Sequence, residues 1–130
     1  MIVVSILGVL SAVAIPQYLS YVEISKRGVT ISNFRTAIKA VQGEISKKTT
    51  GKPVASDMVL TLNDLQRRNK DPYDSSLDAF TDFGATQLGQ VGISVRDFRP
   101  LNPGDTIDLS VSYVENDGTV ASRTETVTVR

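Results

Sequence analysis

The sequence predicts an α+β protein in which a long bent N-terminal helix packs on a small antiparallel β-sheet, and three observations lead there. Met1 to Val22 carry no charge and are mostly apolar. From there to about Lys48 the apolar residues recur at steps of three and four, the period of a helix with one buried face. After Val91 the spacing changes to alternation, the period of strands with one buried face. With 130 residues the chain suits one domain. The expected organisation is a hydrophobic helix half at 1–22 and a globular body at 23–130, made of the amphipathic helix half, a loop and the sheet.

The opening MIVVSILGVLSAVAI is interrupted only by Ser5, Gly8 and Ser11. As a helix, Met1 to Ile15 reach ~22 Å and Met1 to Val22 reach ~33 Å, against a hydrocarbon core about 30 Å thick. A helix apolar on every face needs lipid or other protein around it. Three settings meet that need: a membrane or filament core, a secretory signal peptide, and the core of a soluble domain. Ala12-Val13-Ala14 has the small-x-small form of a signal cleavage site, but no Lys or Arg precedes Lys26 to supply the basic region of such peptides. The rest of the chain is short for wrapping a buried helix. The membrane or filament core is therefore the first expectation.

Ile31, Phe34, Ile38, Val41 and Ile45 continue the helix as one apolar stripe, expected to pack on the sheet, with Arg35, Lys39, Gln42, Glu44 and Lys48 between them. Pro16 removes a backbone donor and clashes with the preceding turn, and Gly28 weakens a helix by about 1 kcal/mol relative to Ala, so bends are expected near both. Lys47 and Lys48 suit the negative helix end, and Thr49-Thr50-Gly51-Lys52-Pro53 supplies the stop. Thr61-Leu62-Asn63-Asp64 resembles a capping box that opens a short helix to about Asn69, closed by Asp71-Pro72. A loop to Gln90 follows, expected to be pinned by Leu77, Phe80, Phe83 and Leu88. Val91, Ile93 and Val95 mark a first strand, and Ile107, Leu109, Val111 and Tyr113 a second after the turn Asn102-Pro103-Gly104-Asp105. Glu115-Asn116-Asp117-Gly118 supplies a hairpin turn into a last strand, whose Ala121, Val127 and Val129 share the face turned to the helix stripe.

Fourteen Lys and Arg balance fourteen Asp and Glu, so overall charge selects no partner. The chain has no Cys and no His, which excludes disulfides, thiolate chemistry and Cys-ligated zinc and removes the commonest general base. Asp74 with Asp78, and Ser75 or Ser76, have no base spaced to activate them, and Gly84, Gly89 and Gly92 do not open a helix as a phosphate loop does. No enzyme and no cofactor are expected. Asp71, Asp74, Asp78 and Asp82 are weak candidates for Ca²⁺, since their spacing departs from the EF-hand pattern, and a solvated acidic loop is the preferred reading. Lys47, Lys48, Lys52, Arg67, Arg68 and Lys70 offer phosphate contacts to DNA, but without interleaved aromatics, so DNA or another surface is a secondary partner at most. Tyr18, Tyr21 and Phe34 read as packing residues at helical spacing. Charge is divided along the chain: Glu23 to Lys70 hold ten Lys or Arg against four acids, and Asp71 to Arg130 four against ten. The two halves either face each other across subunits and set register, or neutralise each other within one.

Burying Ile2, Val3, Val4, Ile6, Leu7, Val9, Leu10, Val13 and Ile15 is worth ~1.5 to 3 kcal/mol for each large side chain, against ~0.2 to 1 kcal/mol for an exposed ion pair. Lipid before assembly, or copies of the same helix after it, are therefore the favourable surroundings. MIVVSILGVLSAVAIPQYLSYVEISKR resembles the N-terminal helix of bacterial type IV pilins and the related type II secretion pseudopilins, closely from Met1 to about Lys26. The resemblance implies a pilin-like fold and a structural subunit of a type IV pilus-like filament. Such a homo-oligomer is held in the inner membrane and passed by pilus assembly machinery into an extracellular fibre for adhesion, motility or DNA uptake. In a pseudopilin of a secretion or competence system the fibre is short and periplasmic. The family's cleaved leader and N-methylated Phe are expected upstream of the position matched by Met1. The resemblance also implies that the stretch from Gly8 to Pro16 loses helix in the assembled fibre; the alternative is that Gly8 is a small helix contact and Pro16 a kink. Past residue 26 the resemblance is architectural, and the family's C-terminal disulfide loop has no counterpart in a chain without Cys. A secreted soluble binding domain with a retained signal peptide is the expectation from a different class.

Overall fold

The computed structural model describes residues 1–65, 70–83, 87–115 and 117–130. Helix α1 (Ile2–Thr49) and helix α2 (Met58–Leu65) precede strands β1 (Lys70–Asp71), β2 (Asp74–Asp78), β3 (Phe80–Asp82), β4 (Val91–Ile93), β5 (Thr106–Val114) and β6 (Val120–Thr128). This is the α+β arrangement that the change of period announces, a long N-terminal helix on a small sheet.

α1 runs ~72 Å without a break through Pro16 and Gly28. Its end is a Schellman motif: the Lys52 N–H donates to Lys47 O and the Gly51 N–H to Lys48 O, with Gly51 at φ +77°, a conformation that favours Gly. Lys48 Nζ then donates to Phe98 O and Arg99 O, tying the helix end to a loop fifty residues away. The buried face of α1 is Thr30, Asn33, Phe34, Ala37, Val41, Glu44 and Ile45. Ile31 and Ile38, two members of the expected stripe, are half-buried at its edge. Small residues at Thr30 and Ala37 let the helix backbone approach the sheet, and the bulkier isoleucines flank that contact. Glu44 is buried because its Oε2 accepts the Ala55 N–H at 2.9 Å and its Oε1 accepts from Lys47 Nζ at 2.8 Å.

α2 starts four residues earlier than a cap at Thr61 indicates. Asp57 Oδ1 accepts the Leu60 N–H at 3.0 Å, so Asp57 is the cap, and Thr61 and Asp64 lie inside the helix. This start puts Met58, Val59 and Leu62 into the core. The expected extension to Asn69 falls outside the described residues.

The main sheet has the order β3-β4-β5-β6 and is antiparallel except that β3 runs parallel to β4. β1 and β2 form a separate antiparallel pair. The stretch read as one loop up to Gln90 thus holds three strands, hidden in the sequence because they are two to five residues long and mainly polar. Of its four expected anchors Phe80 is fully buried, Leu77 and Leu88 are half-buried, and Phe83 is exposed. β5 alternates buried Ile107, Leu109, Val111 and Tyr113 with half-buried residues and carries the centre of the core against α1.

Candidate assembly site

Every residue from Met1 to Tyr21 is exposed, on all faces of α1. Ile2, Val3, Val4, Ile6, Leu7, Val9, Leu10, Val13 and Ile15 all stand in this bare half, with exposures from 54% at Ile6 to 77% at Ile2. Gly8 and Pro16 lie among them. Leu19 and Ile24 extend the same apolar surface beyond the residues picked out by hydrophobicity before Pro16, as do the exposed rings of Tyr18 and Tyr21. The backbone of this half satisfies itself in a helix, apart from the Ala12 carbonyl that Pro16 cannot serve. Ser5 Oγ donates to Met1 O at 3.1 Å, so its hydroxyl also has an internal partner.

Charge begins where the helix reaches the body. Lys26 Nζ lies 3.7 Å from Glu23 and 5.7 Å from the centre of the Tyr73 ring, and Arg27 is 3.6 Å from Glu115 beside the β5-to-β6 turn. A groove of about 350 Å³ separates Leu19, Glu23 and Ile24 from Val114 and Gly118 at this junction. The helix is therefore apolar where nothing covers it and charged from the first contact with the sheet.

The remaining candidates do not converge. Asp71 is buried, Asp78 pairs with Lys70 at 2.7 Å, Asp82 pairs with Arg96, and Asp74 accepts from Ser76. Among the described residues no three carboxylates come together around a cation position. Burial pushes the Asp71 carboxyl above the usual carboxylate range, opposed by the Tyr73 and Asp74 N–H groups that its oxygens face. Asp97 goes the other way, down to about 2, because Arg99 donates two side-chain hydrogen bonds to it. Of the candidate phosphate contacts, Lys47, Lys48 and Lys70 are engaged with Glu44, two backbone carbonyls and Asp78, and Arg67 and Arg68 lie outside the described residues. Tyr18 and Tyr21 are exposed while Phe34 is in the core, so the three rings form no path. Arg27 with Glu115 and Lys70 with Asp78 join the basic and acidic parts of the sequence within one chain.

No family model matches this chain, and no curated protein and no solved structure is detectably similar to it. Fold and site together define an α+β body carried on an N-terminal apolar helix. By length and composition that helix suffices to cross a membrane, and its position also suits a signal sequence.

Proposed function

We propose that the chain is a structural subunit of a type IV pilus-like filament. Its N-terminal helix is held in the inner membrane before assembly and is then buried among copies of itself in an extracellular fibre, with pilus assembly machinery moving it between the two. One observation carries the reading: a single helix packs its second half on the body and leaves its first half, apolar on every side, exposed. Lipid and a bundle of like helices are the two surroundings that serve such a surface, and a filament subunit exchanges one for the other. The resemblance of Met1 to Lys26 to type IV pilins supports the same reading. The charged body stays outside because its core is already complete without residues 1–22.

Electron microscopy of native material, together with removal of residues 1–22, tests this. The full chain is expected in thin filaments or, undissociated from membrane, in detergent extracts. The shortened chain is expected to be soluble and folded, and to form no filament. A native N-terminus at or after Ile15, or a shortened chain that unfolds, would overturn the proposal.

A further inference from the structure

β6 is the outermost strand of the main sheet, and among the described residues no strand pairs with its far edge. Two bonds at its ends, Glu115 N–H to Thr119 O and Val129 N–H to Asp105 O, fix which residues turn their main chain towards β5. With a period of two these are Ala121, Arg123, Glu125 and Val127, so the N–H and C=O groups of Val120, Ser122, Thr124, Thr126 and Thr128 point out along the open edge. The strand runs nine residues in unbroken register, with neither bulge nor Pro. Bulges and Pro are two of the devices that blunt natural edges, and charged side chains, inward-pointing ones included, are another.

The charges on this strand are arranged in a particular way. Arg123 and Glu125 lie on the helix-facing side, opposite Val111 and Leu109 of β5, which are fully buried and apolar. Both charged residues are exposed, and among the described residues neither has an ion-pair partner.

We propose that β6 pairs antiparallel with β6 of a second copy of this chain, with Thr124 facing Thr124 at the two-fold axis. In that register the outward main-chain groups of the two strands bond to each other, Ser122 facing Thr126. Between those bonded pairs Arg123 of each copy faces Glu125 of the other, and Ala121 faces Val127. These intervening pairs are the ones whose side chains approach most closely, so their charges weigh most. Moving the axis to Arg123 sets Arg123 against itself, and moving it to Glu125 sets Glu125 against itself. Charge therefore selects the register centred on Thr124 over its neighbours. A groove of about 440 Å³ between Gln42, Ser46 and the Glu125-to-Thr128 stretch leaves room on the helix side for the incoming Arg123. The contact uses only the body and does not depend on the filament reading; subunits drawn from one membrane into one fibre run in the same direction, so this two-fold contact would join copies from separate fibres or outside a fibre.

The chain has no Cys, so a single introduced Cys reports its own surroundings. In full-length protein in detergent micelles, Thr124→Cys is expected to oxidise to a covalent dimer, because directly bonded antiparallel pairs stand ~5.5 Å apart at Cα, within disulfide range. Ser122→Cys or Thr126→Cys alone should crosslink about tenfold more slowly, their like positions being roughly 14 Å apart, while a mixture of those two proteins should crosslink to each other. Arg123→Glu added to Thr124→Cys should slow crosslinking about tenfold, by turning two attractive cross-strand pairs repulsive. Adding Glu125→Arg as well should restore it. Association through the apolar helix instead gives crosslinks insensitive to position on β6. Equal rates at 122, 124 and 126, no crosslink at 124, or indifference to charge reversal each overturns the proposal. Far-UV circular dichroism shows that the variants are folded, and the pattern of Cys positions stands without the charge variants.

Discussion

The two halves of α1 share one secondary structure and opposite surroundings. From Thr30 to Ile45 the helix buries seven residues, including Thr30, Asn33 and Glu44, which are polar. From Ile2 to Tyr21 it buries none, although this is the more apolar half. Apolar composition alone does not draw a helix into a core; one-sidedness does. A one-sided stripe lets one face meet a sheet while the other meets water, whereas an all-round apolar surface cannot be covered by a single small body. The bare half is thus left uncovered by the body, and the packed half holds the body together.

Aspartate substitutions on the two halves should give the largest contrast. Val41→Asp puts a carboxylate where the side chain is fully buried and is expected to destabilise the body by roughly 3 to 5 kcal/mol in denaturant unfolding. Val9→Asp, where the side chain is 66% exposed, should leave that transition within about 0.5 kcal/mol. It should nonetheless weaken vesicle insertion by ~3 kcal/mol, read by flotation. A Val9→Asp chain whose body unfolds like Val41→Asp would break the comparison.

Glycine gives the next largest difference. A Cβ at Gly89 would overlap the Asp71 carboxylate and the Tyr73 ring, and its backbone sits at φ +87°. Gly89→Ala is therefore expected to cost about 2 kcal/mol or more in thermal unfolding. Gly8 has nothing within 4 Å of its Cβ position, so Gly8→Ala should leave the body unchanged and strengthen the bare helix by about 1 kcal/mol, visible as added helicity in micelles.

The smallest effect concerns pH. Burial raises the folded-state pKa of Asp71 above its unfolded value, so the folded body prefers the protonated acid. Its contribution is present at acid pH and is lost as pH rises through the folded pKa. Asp71→Asn should accordingly gain on the parent as pH rises from about 4 to neutrality and converge with it at acid pH. A parallel offset at every pH would mean that the carboxyl does not titrate with folding. Asp97, held near 2 by Arg99, pulls the other way, stabilising above the usual carboxylate range and losing that as pH falls. The difference between parent and variant isolates Asp71.

The extent of α1, the stop after Lys48 and strands β4 to β6 were legible because each rests on a local period or a local stop signal. The bare half was legible too, since no periodicity interrupts it. β1 to β3 were not, because strands this short and polar carry no alternation to read. Asp57 was missed as a cap because Thr61 to Asp64 offers a similar local pattern, and the choice between them is made by which start buries Met58 and Val59. Ile31 and Ile38 looked equal to Val41 in spacing, yet the smaller Thr30 and Ala37 take the centre of the contact.

By itself, then, the amino-acid order determined where the helix runs, that its first half is apolar all round, and that its second half and three strands are two-faced. Those properties depend on residues within a few positions of one another. Only the tertiary structure decided that β3 joins β4 in parallel, that Asp71 is buried against Gly89, that Lys48 caps a loop at Phe98, and that β6 is left as an open edge. The first three set together residues eleven, eighteen and fifty apart, and such pairings are chosen by what the whole core can bury, not by any local pattern.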